Sequence, residues 1–195
     1  TAARRIWSGV APALLLSPPA LAAQAGRSPV VEIRAGMVIT TSVRVSPRAY
    51  RLTGSASLDS AVITVRGSDI TVDFAGATLQ GSDPRADPDR AAGVAIRIDG
   101  GRDVRILNAR VHGYKVGILA RGTRRLIIAR SDLGDNWRPR LYSQVEHESL
   151  VDWLDFHHSD HGEWLRYGAA IYLDGVHGGE IHDTRAEHGM NGLML

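Results

Sequence analysis

AIRIDGGRDVRILNARV, residues 95–111, lies over GILARGTRRLIIARSDL, residues 117–133, at a constant offset of 22. The offset pairs Ile96 with Ile118, Gly100 with Gly122, Val104 with Leu126, Ile106 with Ile128 and Val111 with Leu133. AIYLDG (170–175) repeats AIRIDG (95–100) almost letter for letter, which puts Ile181 and Asp183 where Ile106 and Asn108 stood. A further 22 residues on, GLML (192–195) falls on AIYL. Upstream, ITVRGSDITVDFAGATLQG (63–81) is an earlier copy with a slightly longer turn, placing Val72 over Ile106. A period of this length means one small structural unit repeated, not one globular pattern.

Inside each copy, apolar residues alternate with polar ones: Ile96 and Ile98 flank Arg97, Val104 and Ile106 flank Arg105, and Ile70 and Val72 flank Thr71. Alternation over such short runs predicts strands with one buried face. No single copy can bury its own apolar face. A chain wound so that each strand pairs in parallel with its equivalent one coil away, about 4.8 Å off, joins those faces into one core. Asn108 and Asp183 follow the second strand, where a turn needs a left-handed backbone that Asn and Asp tolerate. Glycines 67, 100, 122 and 175 are expected in left-handed turns for the same reason.

ITVDFAGATLQG and GVAIRIDGGRDVRILNARVHGYKVGILARG together resemble the right-handed parallel β-helix proteins of the pectate-lyase-like superfamily, and are similar in particular to exported bacterial β-helix-repeat proteins. The resemblance covers roughly residues 61 to 195. It implies an all-β right-handed parallel β-helix over 61–195, a solenoid of coils of about 22 residues. Residues 27–60 are expected as an N-terminal cap or first irregular coil, since an open end of a sheet stack invites pairing with other chains. GSDPRADPDRAAG (81–93) is a polar, proline-punctuated surface loop.

The segment TAARRIWSGVAPALLLSPPALAAQAG has Arg4 and Arg5, an apolar run from Ile6 to Leu16 and small residues through Ala25, the layout of a secretory signal peptide over 1–25. The run is too short and too proline-broken to span a bilayer. All 21 acidic residues lie after residue 25, and the 23 basic residues less Arg4 and Arg5 match them one for one. With a formally neutral mature domain the high pI is no nucleic-acid footprint, and neither a nucleic acid nor, after signal removal, a membrane is expected as partner. With no cysteine, the chain has neither disulfides nor thiolate metal sites. A secreted or periplasmic bacterial protein is expected. The chain starts at Thr1 and stops at Leu195 inside an apolar stretch, so it reads as a fragment whose helix is incomplete at the C-terminus.

From Gly117 to Ala170 is 53 residues where 22 make one copy, so an insertion with helical and loop structure is expected over 137–168. Insertions in repeat folds fall on one face, often the binding face. Ser143 and Glu146 have capping-box spacing ahead of HESLVDWLDFH. The motif WLDFHHSDHGEW (153–164) sets three histidines, two aspartates and a glutamate between two tryptophans. His157 and His161 share a helical face, and Asp160 and Glu163 are near enough to complete a zinc or copper site. The spacing lacks the metalloprotease form, and no cofactor is required; calcium or a transition metal remains an option. Alternatively His157 or His161 moves protons at a sugar ring, or the segment is a side loop anchored by Trp153, Phe156 and Trp164.

Lys115, the only lysine, is a candidate base, because lysine or arginine abstracts the proton in several lyases of the resembled superfamily. Arg97, Arg105, Arg130, Tyr172 and His182 are expected to point outward, where arginines clamp carboxylates and aromatic rings stack on sugars. With Trp153 and Trp164, Arg97, Arg105, Tyr172 and His182 form the candidate substrate-binding set. The family's Asp-Pro-His-Asp run, paired aspartates and acidic calcium cluster are not recognisable. The expected function is therefore an exported protein that binds, and in the lyase or hydrolase manner cleaves, a polysaccharide along an outer groove. The alternatives are a non-catalytic surface or periplasmic scaffold or adhesin, and a periplasmic metal handler.

Overall fold

The computed structural model describes residues 28–57, 59–150 and 167–195. The strands, in chain order, are β1 (Val30–Val31), β2 (Met37–Ile39), β3 (Val43–Val45), β4 (Ala49–Arg51), β5 (Ala61–Arg66), β6 (Thr71–Asp73), β7 (Thr78–Gln80), β8 (Val94–Asp99), β9 (Arg105–Leu107), β10 (Arg110–His112), β11 (Val116–Arg121), β12 (Arg124–Ala129), β13 (Ala169–Asp174), β14 (His177–His182) and β15 (Leu193–Met194). Helix among the described residues amounts to little more than the 3-10 turn Pro88–Arg90. The chain is all-β, and the strand pairing is parallel throughout.

The strands make three sheets: sheet I in the order β2-β5-β8-β11-β13-β15, sheet II in the order β1-β3-β6-β9-β12-β14, and sheet III in the order β4-β7-β10. From β2 to β10 the chain visits sheets I, II and III in turn and then returns to sheet I. Isolated bridges from Arg110 to Asp132 and from Asp132 to Arg185 prolong sheet III. Residues 30–51, expected as a cap or irregular coil, supply β1–β4 to the same sheets as the later strands.

The register is the one the repeat demands. Ile63, Ile96, Ile118 and Ile171 stand side by side in sheet I, with Leu193 beyond. Val72, Ile106, Ile128 and Ile181 do the same in sheet II, and Tyr50, Leu79 and Val111 in sheet III. Of these, Ile63, Ile96, Ile118, Val72, Ile106, Ile128, Leu79 and Val111 are completely buried. Burying each such side chain contributes about 1.5–3 kcal/mol, and stacked columns repeat that gain with every circuit.

Asn108 and Asp183 take the left-handed conformation expected of them (φ 55° and 50°), and Arg130 takes it between them in the same column (φ 52°). Gly101 fills a tighter place: a Cβ there would lie 1.9 Å from the Gly67 carbonyl oxygen, so the chains touch only because the side chain is absent.

In-register parallel stacking threatens to put like charge over like at each corner. Arg102 does stand over Arg124, but at two corners the sign alternates instead. Arg66, Asp99, Arg121 and Asp174 are successive neighbours at the end of sheet I, with ion pairs of 3.1 Å (Arg66–Asp99) and 3.4 Å (Arg121–Asp174). Arg110, Asp132 and Arg185 alternate in the same way beside sheet III.

Candidate functional site

The site grows from the turn that follows sheet III. Side chains at alternate positions of that sheet face away from the core, which sets Arg51, Gln80 and His112 in one outward column. Beyond the strands, turns stack on one another through backbone bonds: Gly81 donates to the His112 carbonyl, Gly113 to that of Asp135, and Asp135 to that of Glu187. Gly113, Asp135 and His188 are left-handed at equivalent points (φ 74°, 49° and 54°).

One buried side chain locks this stack. The Asn136 amide donates to the carbonyls of Val111 (3.1 Å) and Leu133 (2.7 Å), and its oxygen accepts the Tyr114 N–H (3.0 Å). It closes three backbone groups that burial would otherwise strand. Tyr114 is buried beside it, its hydroxyl donating to the Leu52 carbonyl at 2.7 Å, and burial holds its phenol well above the ordinary range.

Next in the chain, Trp137 pulls the 81–93 loop over the stack. Its backbone N–H meets the Tyr114 carbonyl, and its indole Nε1 donates to the Asp89 carbonyl at 3.0 Å. Arg140 adds an ion pair to Asp87 at 3.8 Å. Between the overhanging loop and the stacked turns lies a cleft of about 400 Å³. The loop lends it Pro84, Ala86, Pro88 and Ala91 together with Asp83, and the stacked turns lend it Gln80, His112, Asp135, Arg138 and His188.

Both cleft histidines are oriented by fixed partners. His112 Nδ1 lies 2.9 Å from the Gly134 carbonyl oxygen, and His188 Nδ1 lies 3.1 Å from Asp135 Oδ1. A carbonyl and a carboxylate accept only, so each Nδ1 carries the hydrogen and each neutral ring keeps Nε2 as an acceptor. Such a His–carboxylate pair can take up and release a proton at a bound ligand.

Lys115 stands behind Trp137 rather than in the cleft. Its ammonium lies 3.3 Å from the centre of the Trp137 ring, and burial pushes its amine down to about 8. The outward column of sheet I holds Arg97, Leu119 and Tyr172 in sequence. Arg97 is tied to Asp99 (2.6 Å) and to the Asp59 carbonyl (2.5 Å), while Tyr172 packs on a small apolar cluster of Val94, Val116 and Leu119. Arg105 and His182 are on sheet II, Arg105 exposed and His182 bonded to Asp183 at 3.0 Å. The candidate substrate-binding residues are thus divided between two sheets, Arg97 and Tyr172 on one and Arg105 and His182 on the other.

Trp153, His157, Asp160, His161, Glu163 and Trp164 lie outside the described residues, as does the whole of segment 1–25. Ser143 does not close a box with Glu146; its hydroxyl accepts the Ser149 N–H at 2.9 Å, and Gln144 and His147 bond each other's backbone. Among the described residues no three His, Asp or Glu side chains converge as a metal ion would require.

Asp135 and His188 escaped sequence reasoning because they fall at turns, and His112 because it is the last residue of a three-residue strand, too short for alternation to single it out. The signal that could have found them is the His-Gly pair in VHG (111–113) and EHG (187–189), each just past a strand or bridge. No family model matches the chain, and neither the curated proteins nor the solved structures include a match to it.

Proposed function

We propose that this chain is an exported right-handed parallel β-helix of the pectate-lyase-like kind that binds a polysaccharide in the cleft beneath the 81–93 loop. The all-parallel pairing, the cyclic visiting of three sheets and the residue period of 22 between Asp103 and Arg125 support the architecture. The N-terminal composition and the absence of cysteine support export to the periplasm or beyond.

The observation that carries the functional reading is the cleft itself: one wall mostly of proline and alanine, the other of oriented polar groups. A sugar ring presents a C–H face and a rim of hydroxyls, and such a pair of walls matches it. The His188–Asp135 pair would serve proton transfer at the bound sugar if the protein cleaves what it binds.

The test is calorimetric binding of the full chain to a panel of neutral and acidic oligosaccharides, with product release followed as reducing ends and as unsaturated uronates. Binding that is lost when Pro84 and Pro88 are both replaced by aspartate supports the reading. Failure of every glycan to bind overturns it. A non-catalytic scaffold is the second reading, favoured by the alternating ion pairs at the exposed corners, which protect a long stack without serving a ligand.

A further inference from the structure

The cleft's hydrogen-bonding character names the kind of glycan it takes, an inference that rests on the polysaccharide reading above. Counting what each polar side chain has left to offer, and the charge it carries, shows the balance. His112 and His188 have each committed the Nδ1 hydrogen, to the Gly134 carbonyl and to Asp135, and neither Nε2 has a partner among the described residues. Gln80 commits one amide N–H to the Ser82 carbonyl at 2.7 Å, which leaves its oxygen and its second N–H. Asp83 takes the Arg85 backbone N–H on Oδ1 at 2.8 Å and keeps its other oxygen. Asp135 likewise keeps Oδ2 after meeting His188. Beside these five acceptors stand the remaining Gln80 N–H, the Ser82 hydroxyl, which can serve either way, and the Arg138 guanidinium with its five N–H groups, so it is the charge that is uneven, two carboxylates to one guanidinium.

We propose that the cleft is selective for a neutral, hydroxyl-rich glycan and discriminates against polyuronates. Every sugar hydroxyl can donate to an imidazole Nε2, an amide oxygen or a carboxylate, so a neutral sugar satisfies the acceptor set that the fold has fixed. A uronate carboxylate only accepts. Seated here it would face two carboxylates, Asp83 and Asp135, across one arginine. Like-charge contact is how a site rejects the wrong ligand. The prolines and alanines of the loop suit the C–H face of the same neutral ring and offer an ionised group nothing.

The experiment is isothermal calorimetry of the full chain against neutral β-linked hexose and pentose oligosaccharides and against oligogalacturonates and oligoguluronates of matched length. Expected is binding of a neutral oligosaccharide with uronates about tenfold weaker, since one like-charge contact is worth that much. His112→Phe and His188→Phe, which keep a ring and lose the acceptor, should each weaken the neutral ligand about three- to tenfold, and Asp83→Asn should narrow the gap to the uronates. Far-UV circular dichroism and a cooperative melt check that each variant is folded. Uronates binding as tightly as neutral glycans overturn the selectivity while leaving the glycan reading intact. A chain that binds no glycan of either class overturns the reading beneath it.

Discussion

Arg125 sits one circuit above Asp103, 22 residues on, and its guanidinium grips that carboxylate through both Nε, at 2.7 Å to Oδ1, and a terminal nitrogen. Both residues are left-handed (φ 52° and 56°), so the pair joins two equivalent turns across a backbone conformation that most side chains avoid. The hydrogen bond from Arg125, opposed in part by burial, holds the Asp103 carboxyl below its ordinary 3.8. A carboxylate with a lowered value stabilises the fold above its unfolded value and loses that contribution as the pH falls through the folded one. Asp103→Asn should therefore lower Tm at neutral pH and have no effect at the acid end, below the folded value, with the difference shrinking in salt. Calorimetric melts between pH 2 and pH 7 read this directly.

Asn136 has no exposed task, since its amide closes the Val111 and Leu133 carbonyls and the Tyr114 N–H in the interior. Asn136→Leu keeps the branched shape with bulkier ends and strands three backbone groups, each costing about 1–3 kcal/mol. A loss of about 3–5 kcal/mol in urea unfolding is expected. A change below about 1 kcal/mol would mean that the turns hold one another without it.

Ile106 is completely buried between Val72 and Ile128 in sheet II. Ile106→Ala should cost about 2–5 kcal/mol, and Ile106→Val about 0.5–1.5 kcal/mol. Because each circuit touches only its neighbours, the larger loss should appear in hydrogen exchange first at the amides of β6, β9 and β12, with the distant strands β1 and β2 following less.

Lys115 is the only lysine, so ε-amine chemistry reports on one site. Its amine, pushed down to about 8 by burial against an ordinary 10.5, should titrate near pH 8 in the folded chain and return towards 10.5 in urea, as followed by NMR of the reductively methylated protein. The sign for stability follows: between those values the unfolded chain binds the extra proton, so Lys115 makes stability rise with pH across that window. A folded-state titration near pH 10 would show that the contact with Trp137, which favours the charged ammonium, outweighs burial.

The parallel stacking was legible because buried residues in equivalent strands must be similar, and Ile96, Ile118 and Ile171 are the same letter. At the corners the opposite holds. Asp99 and Arg121, or Asn108 and Arg130, are structural equivalents that no shared core constrains to be alike, so the repeat fades where the surface chemistry lies. Lys115 reads in sequence as a solvated corner because nothing local announces Trp137, 22 residues on, covering its ammonium. The cleft was hidden for a third reason. Its parts come from a loop at 81–93, a turn at 112–113, another at 134–138 and a last at 188, brought together only by the stacking.

The alternation Arg66, Asp99, Arg121, Asp174 makes the charge pattern repeat every second circuit although the apolar pattern repeats every one. A misfolded chain that slipped by a single circuit would satisfy the core and set acid on acid and base on base, whereas a slip of two would go unpunished. The stack thus carries a parity, and lengthening it by duplication should succeed in pairs of circuits and falter with an odd number.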